Sequence, residues 1–399
     1  MNATRLTSQI KRGQKFIINN ELNLLDFMHE NIPYKYYQNK ELFQIEHKML
    51  LWQDASFARQ NIIQIGILSF FTNLTSMDVS DNAIHDIQPL AELKQLRQLI
   101  INSNYIDDIT SISQLTNLIE LNMSKNLINN ISHLKNLHQL IDLDISDNQV
   151  DNVDSLEKLL QLQFLNVREN EIKNISVFSK LIKLQTLNID LNNIDDISVV
   201  KWMKNLEQID FSENSLTISI IPVFNLLQLT EIYLCKVHLT DIYQIQQLQC
   251  LQTIIMRENQ IIDLSPISTL LLLETLDVSQ NQIIDVSPLA KLTQLNYLII
   301  SNNMIQDFSS LQAIESQLTV YQNFDQQIPS EEDFLFYQKV FCIHQSGILL
   351  NRLCQFQTQR KNQFLKDLNQ NKQQIFQQFQ QQLMTMNSMV TQLILFINE

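Results

Sequence analysis

Residues 273–292 read LETLDVSQNQIIDVSPLAKL, and residues 140–156 read LIDLDISDNQVDNVDSL. Laid over one another, they share apolar residues at Leu273 and Leu140, Leu276 and Leu143, Val278 and Ile145. An asparagine follows in both, Asn281 and Asn148, and then Ile283 and Val150, Val286 and Val153, Leu289 and Leu156. The pattern runs outward in both directions. Asparagines recur every 22 residues at 82, 104, 126, 148, 170, 192 and 214, and again at 259, 281 and 303. The 45-residue gap from 214 to 259 holds one more copy, with Val237 in the asparagine position and Leu229, Ile232, Leu234 and Leu239 around it. Eleven copies of one short pattern mean a solenoid, because each unit buries its apolar face only against its neighbours.

The spacing assigns a conformation to each part. The L-x-L pair alternates with period two, so it predicts a short strand with both leucines pointing inward. A buried asparagine amide is costly unless bonded, so the recurring asparagines predict a ladder that satisfies backbone groups at the bend after each strand. The I-x-x-I-x-x-L run places apolar groups three apart, which suits an extended or 3₁₀ turn rather than an α-helix. Pro89, Pro266 and Pro288 share one repeat position, where a fixed φ fits such a turn. The expected fold class is α/β: a solenoid with a parallel concave sheet, irregular or 3₁₀ convex turns and a helical C-terminal tail.

This pattern resembles the 22-residue class of leucine-rich repeats. Residues 281–292, NQIIDVSPLAKL, look like the repeats of the bacterial internalins. The same class builds the leucine-rich regulatory subunit of protein phosphatase 1. The resemblance covers roughly residues 72–314 and rests on structural positions. It implies a leucine-rich-repeat solenoid that recognises proteins on its concave sheet, and no residue set carries phosphatase contacts over to this chain.

The ends read differently. Residues 1–71 are expected to cap the array, with helical stretches followed by a degenerate repeat at Ala55, Phe57, Gln60, Ile62, Ile65 and Leu68. Residues 72–314 form the repeats, and 315–329 an irregular closing turn. Residues 330–399 are rich in Gln, with apolar groups at Leu383, Met386, Val390, Leu393 and Ile397. Those steps of three and four describe a coiled-coil seam, through which the C-terminal helix would form a homodimer or dock a partner helix. A helical pair folding back on the last repeat fits the same spacing.

Composition narrows the function. Only Gly13, Gly66 and Gly347 occur, too few and too scattered for a dinucleotide or phosphate loop. The net charge is −14. Residues 51–314 hold 30 acids against 15 bases, so nucleic acids and anionic membrane surfaces are disfavoured as partners. Cys235, Cys250, Cys342 and Cys354 lack the spacing of a zinc or redox motif, and free thiols suit a reducing compartment. With no signal-like apolar run and no membrane-length segment, a cytoplasmic location is expected. No cofactor is expected.

Candidate binding residues come from the strand register. The residue between the two strand leucines points out of the sheet, as does the one two before it. Those rows and the two positions after the strand carry 13 acids against 4 bases. The candidates for partner binding are Asp78, Glu120, Asp142, Asp144, Phe164, Arg168, Asp210, Glu231, Tyr233, Ile255, Arg257, Asp277, Tyr297 and Ile299. Aromatic groups beside arginines are typical anchors, and the acidity would steer a partner with a basic surface. Paired acids such as Asp142 and Asp144 superficially suit acid–base or metal chemistry. On an open, solvated sheet their pKa values have no reason to move far. His133 and His138 are badly spaced for a shared site, so the chain is read as a non-enzymatic interaction scaffold. A phosphatase regulatory subunit and a cytoskeletal adaptor acting through the tail are the rivals.

Overall fold

A three-residue strand cannot stand alone, and in this chain each one pairs with its equivalent a repeat away. The computed structural model describes residues 53–216, 219–314 and 319–321, in which thirteen strands form one parallel sheet in chain order. They are β1 Asp54–Ser56, β2 Ser76–Asp78, β3 Gln98–Ile100, β4 Glu120–Asn122, β5 Asp142–Asp144, β6 Phe164–Asn166, β7 Thr186–Asn188, β8 Gln208–Asp210, β9 Glu231–Tyr233, β10 Thr253–Ile255, β11 Thr275–Asp277, β12 Tyr297–Ile299 and β13 Thr319–Tyr321. Leu143 in β5 pairs with Leu121 on one side and Leu165 on the other, one repeat away each. Between β8 and β9 the register lengthens by one residue, Ile209 against Ile232, and the extra residue is taken up outside the strands.

The middle residue of each strand points inward. Leu99, Leu121, Leu143, Leu165 and Leu187 are fully buried in one continuous core. Between successive strands the chain makes a five-residue 3₁₀ helix, from Gly66–Phe70 to Ser309–Ala313. Each turns one large apolar group into the core, such as Leu134, Leu156 or Phe178. The expected 3₁₀ turn is therefore what connects the strands, and among the described residues there is no α-helix.

The asparagine ladder runs through ten of the eleven repeats and is interrupted at Val237. Asn104 Oδ1 accepts from the Ile84 N–H at 3.0 Å, while its Nδ2 lies 3.1 Å from the Val79 and Ile101 carbonyls and 3.2 Å from that of Asn102. One amide thus ties two repeats and its own bend. The residue before each ladder position has a left-handed backbone, from Asp81 at φ 54° to Asn302 at φ 57°. None of these residues is glycine, so each bend holds a conformation that side chains resist.

Two features depart from expectation. The closing segment is not wholly irregular: Thr319–Tyr321 adds a strand to β12, since its backbone continues the ladder that β12 leaves open. At the other end, β1 extends the sheet through the degenerate repeat. The expected N-terminal helices and the helical tail at 330–399 lie outside the described residues.

Candidate functional site

The sheet face is built from the first and third residues of every strand, and pairing sets them in rows. Glu120, Asp142 and Phe164 stand side by side across β4, β5 and β6, and Asn122, Asp144 and Asn166 form the row beside them. All six are half-buried. Gln98 Nε2 donates to Glu120 at 2.8 Å. Burial pushes the Asp142 carboxyl up to about 6, and the charges of Glu120 and Asp144 push it the same way. Asp144 is raised too, by burial, against bonds from Ser146 that favour its charge. The face is thus less open than the sequence suggested, and its carboxylates do shift. Burial on a partly dried surface is the first cause, and the crowding of like charges adds to it.

Several of the outward aspartates have a second job. Asp78, Asp144, Asp210 and Asp277 each accept the N–H two residues ahead, at Ser80, Ser146, Ser212 and Ser279, at 2.9–3.0 Å. Asn122 does the same for Ser124. These side chains close the turn after the strand, so part of the acidity is structural. The recurring Asp-x-Ser after the strand leucine is the sequence signal, and it is the local turn bonding that such residues favour.

From β7 to β12 the third strand position is buried: Asn188, Asp210, Tyr233, Ile255, Asp277 and Ile299. Tyr233, Ile255 and Ile299, expected as exposed anchors, are only 1–2% accessible. Tyr233, Cys235 and Ile255 form a small apolar cluster of their own, separate from the main core. Large side chains standing on adjacent strands share most of their surface. The Tyr233 hydroxyl donates to Glu231 at 2.7 Å, and Glu231 also accepts from Gln208 at 2.9 Å. Burial raises the Tyr233 phenol and Cys235 thiol above their usual ranges, so neither ionises near neutral pH. Tyr297 is half-buried beside Thr275.

The arginines are held in place as well. Arg168 is buried, with Nη1 3.3 Å from Asp147, Nη2 3.0 Å from Glu169 and Nε 3.3 Å from Asp190. Asp190 is buried beside it, and burial plus the Asp210 charge raise its carboxyl. Glu169 is pushed up to about 7, first by a shared hydrogen bond with Asp147 and then by burial. Arg257 Nε lies 3.7 Å from Asp277, whose carboxyl burial raises and Arg257 and Ser279 lower. Lys236 bridges Glu213 and Glu258 at 3.3 and 3.6 Å. Among the described residues, no group of three or more His, Cys, Asp or Glu side chains could hold a metal ion.

The family model for Leucine Rich repeats (2 copies) matches residues 72–114 and 272–313. An internalin, InlF, from Listeria monocytogenes is 28% identical, covers 70% of this chain and 89% of its own, and superposes with a TM-score of 0.65. A leucine-rich-repeat protein from Leptospira interrogans is 20% identical, with coverage of 82% and 89% and a TM-score of 0.65. The functional domain of InlJ from Listeria monocytogenes is 21% identical, with coverage of 69% and 74% and a TM-score of 0.52. No curated protein sequence matches the chain.

Proposed function

The chain is a leucine-rich-repeat protein, and we propose that the sheet face of β4–β6 binds a basic surface of a partner protein. Folds of this kind serve as protein-interaction modules, because the stacked strands offer an extended surface. The observation that carries the reading is the row Glu120, Asp142 and Phe164. It is half-exposed, and its central carboxyl is pushed up to about 6 by burial and by its acidic neighbours. A lysine or arginine from a partner would relieve that repulsion, and Phe164 supplies an apolar contact beside it. The chain acts here as a scaffold without catalysis of its own. A cytoplasmic setting and pairing through the C-terminal segment belong to the same proposal. They are supported by unpaired Cys235 and Cys250 and by the spacing from Leu383 to Ile397.

Affinity capture from lysate near neutral pH tests the site, using wild type and a Glu120→Gln, Asp142→Asn, Phe164→Ala variant. Proteins retained by the wild type alone support the face and name the partner. The same proteins on both would place recognition elsewhere. Binding also carries a pH signature. A cationic partner lowers the Asp142 pKa, so affinity is full above about 6 and weakens as pH falls below it. Titration of the isolated partner across that range, with the Asp142→Asn variant as the flat control, checks the sign.

A further inference from the structure

Charge is not spread evenly over the repeats. The last two residues of each 3₁₀ helix open a turn that leads the chain back toward the sheet, and these helix ends and turns line one edge of the solenoid. Across eleven such turns, residues 69–73 to 290–294, the edge carries eight lysines against Glu92 and Glu157. The remaining repeat surface is strongly acidic. The lysines concentrate in three successive turns, at Lys158, Lys180, Lys183, Lys201 and Lys204, all exposed. Among the described residues none of the five is in an ion pair. Lys183 donates to Gln161 at 2.6 Å, Lys204 to the Asn225 carbonyl at 3.3 Å, and Lys201 sits 5.3 Å from the centre of the Trp202 ring.

Apolar side chains stand among these lysines. Leu160, Ile182, Trp202 and Leu227 are 48%, 56%, 57% and 54% exposed. They stand in four successive repeats, and all four are about half exposed or more. We propose that this edge docks the protein peripherally on an anionic phospholipid bilayer. The lysines would face the lipid phosphates, while Trp202 and its aliphatic neighbours enter the headgroup layer. The charge complementarity is local: five cations against Glu157 in three turns match the polybasic clusters that anionic lipid attracts. The exposed tryptophan and aliphatic groups standing among the lysines are what distinguish a bilayer from an acidic peptide, which needs a shaped niche for its side chains. An overall negative chain opposes this only weakly at salt concentrations that screen beyond about 10 Å.

The test uses the full chain carrying Trp52→Phe, which leaves Trp202 as the single tryptophan of the two in the sequence. Co-sedimentation is measured with phosphatidylcholine vesicles, with and without phosphatidylserine. The expected result is binding only to the anionic vesicles, weakened by salt, with a blue shift of the Trp202 emission. Lys180→Gln, Lys201→Gln and Lys204→Gln together should weaken partition about 100-fold at low salt with no change in melting. Arg59→Gln, Lys125→Gln and Lys173→Gln, which remove as much charge elsewhere, should leave it within a few-fold. Equal loss with both triples would overturn the proposal, and so would absence of vesicle binding. Binding of poly-glutamate instead of vesicles would assign the edge to an acidic protein. Concentration-dependent self-association lost in the first triple would assign it to a second copy of this chain.

Discussion

At the scale of the residue, the ladder asparagines bear the largest share of the bends. Asn148 Oδ1 accepts from Ile128, and its Nδ2 donates to the Met123, Ile145 and Ser146 carbonyls, at 3.0–3.1 Å. Asn148→Ala strands these groups, with an expected loss of about 2–4 kcal/mol. Lys158→Ala on the exposed edge should cost under about 0.5 kcal/mol. Chemical denaturation of both variants makes the comparison, and equal midpoints would mean the bonds contribute nothing. Arg168 is a second such residue. It faces Asp147, Glu169 and Asp190, so Arg168→Met leaves a buried carboxylate without its cation and should destabilise by about 3–5 kcal/mol. Asp190 is already raised and will take a proton more readily in that variant, so its deficit should shrink at low pH. The ladder was legible from sequence because it recurs in ten of eleven copies. The Arg168 cluster was not, since Asp147 and Asp190 sit in the neighbouring repeats and only stacking brings them to Arg168.

At the scale of the element, the 3₁₀ helices have a ladder of their own that sequence reading passed over. In all but two of them, an Asp or Asn stands one residue before the apolar group that opens the helix. Its side chain accepts the first helical N–H: Asp86 from Gln88, Asp108 from Thr110, Asn130 from Ser132, Asp263 from Ser265 and Asp285 from Ser287, at 2.7–2.9 Å. The signal was present as an Asp or Asn four residues after every ladder asparagine except Asn214, but exposed carboxylates look like solvated surface until the bond is seen. In the irregular repeat Ser219 takes the place, at 3.2 Å. Bonds from the Ser265 hydroxyl and N–H lower the Asp263 pKa. A lowered pKa stabilises the fold above the unfolded value, and that support is lost as pH falls through the folded one. Asp263→Ala should therefore cost about 1 kcal/mol near neutral pH, and less in acid, as thermal melts at both would show. Asp142 on the sheet face has the opposite sign. Its pKa is raised to about 6, so the stability linked to its protonated form is full below the usual carboxylate range and lost as pH rises through about 6. Asp142→Asn should raise the melting temperature near neutral pH and leave it unchanged in mild acid. The row to which it belongs was legible from register alone. The burial of Tyr233, Ile255 and Ile299 was not, because alternation gives the face a side chain points to and not what stands against it.

At the scale of the whole molecule, stability passes from repeat to repeat, so a defect in one interface weakens the array on both sides of it. The defect here is the repeat of β9. It carries the extra residue between β8 and β9 and places Val237 where the other copies have the amide. The next repeat compensates in part: Asn259 Oδ1 accepts from both Val237 and Leu239, at 3.1 and 3.0 Å. The same arrangement recurs at the N-terminal end, where Asn82 Oδ1 accepts from Gln60 and Ile62 because position 60 also lacks the asparagine. What Asn259 cannot supply is the acceptor that an amide at 237 would offer to the repeat before it. Native-state hydrogen exchange should therefore find the lowest opening free energy at the β8–β9 step, with β2–β7 and β10–β12 opening as separate units. Val237→Asn tests the cause. Val237 lies within the core beside the bend, and an amide there would give and receive the ladder's bonds if the extra residue leaves the preceding loop within reach. The expected outcome is a gain of about 1 kcal/mol, with exchange at β8–β9 slowing toward the rate of its neighbours. A loss of stability would mean that the inserted residue has moved the preceding carbonyls out of reach and left the new amide buried without partners. The valine would then be the adaptation to the insertion rather than the flaw in the array.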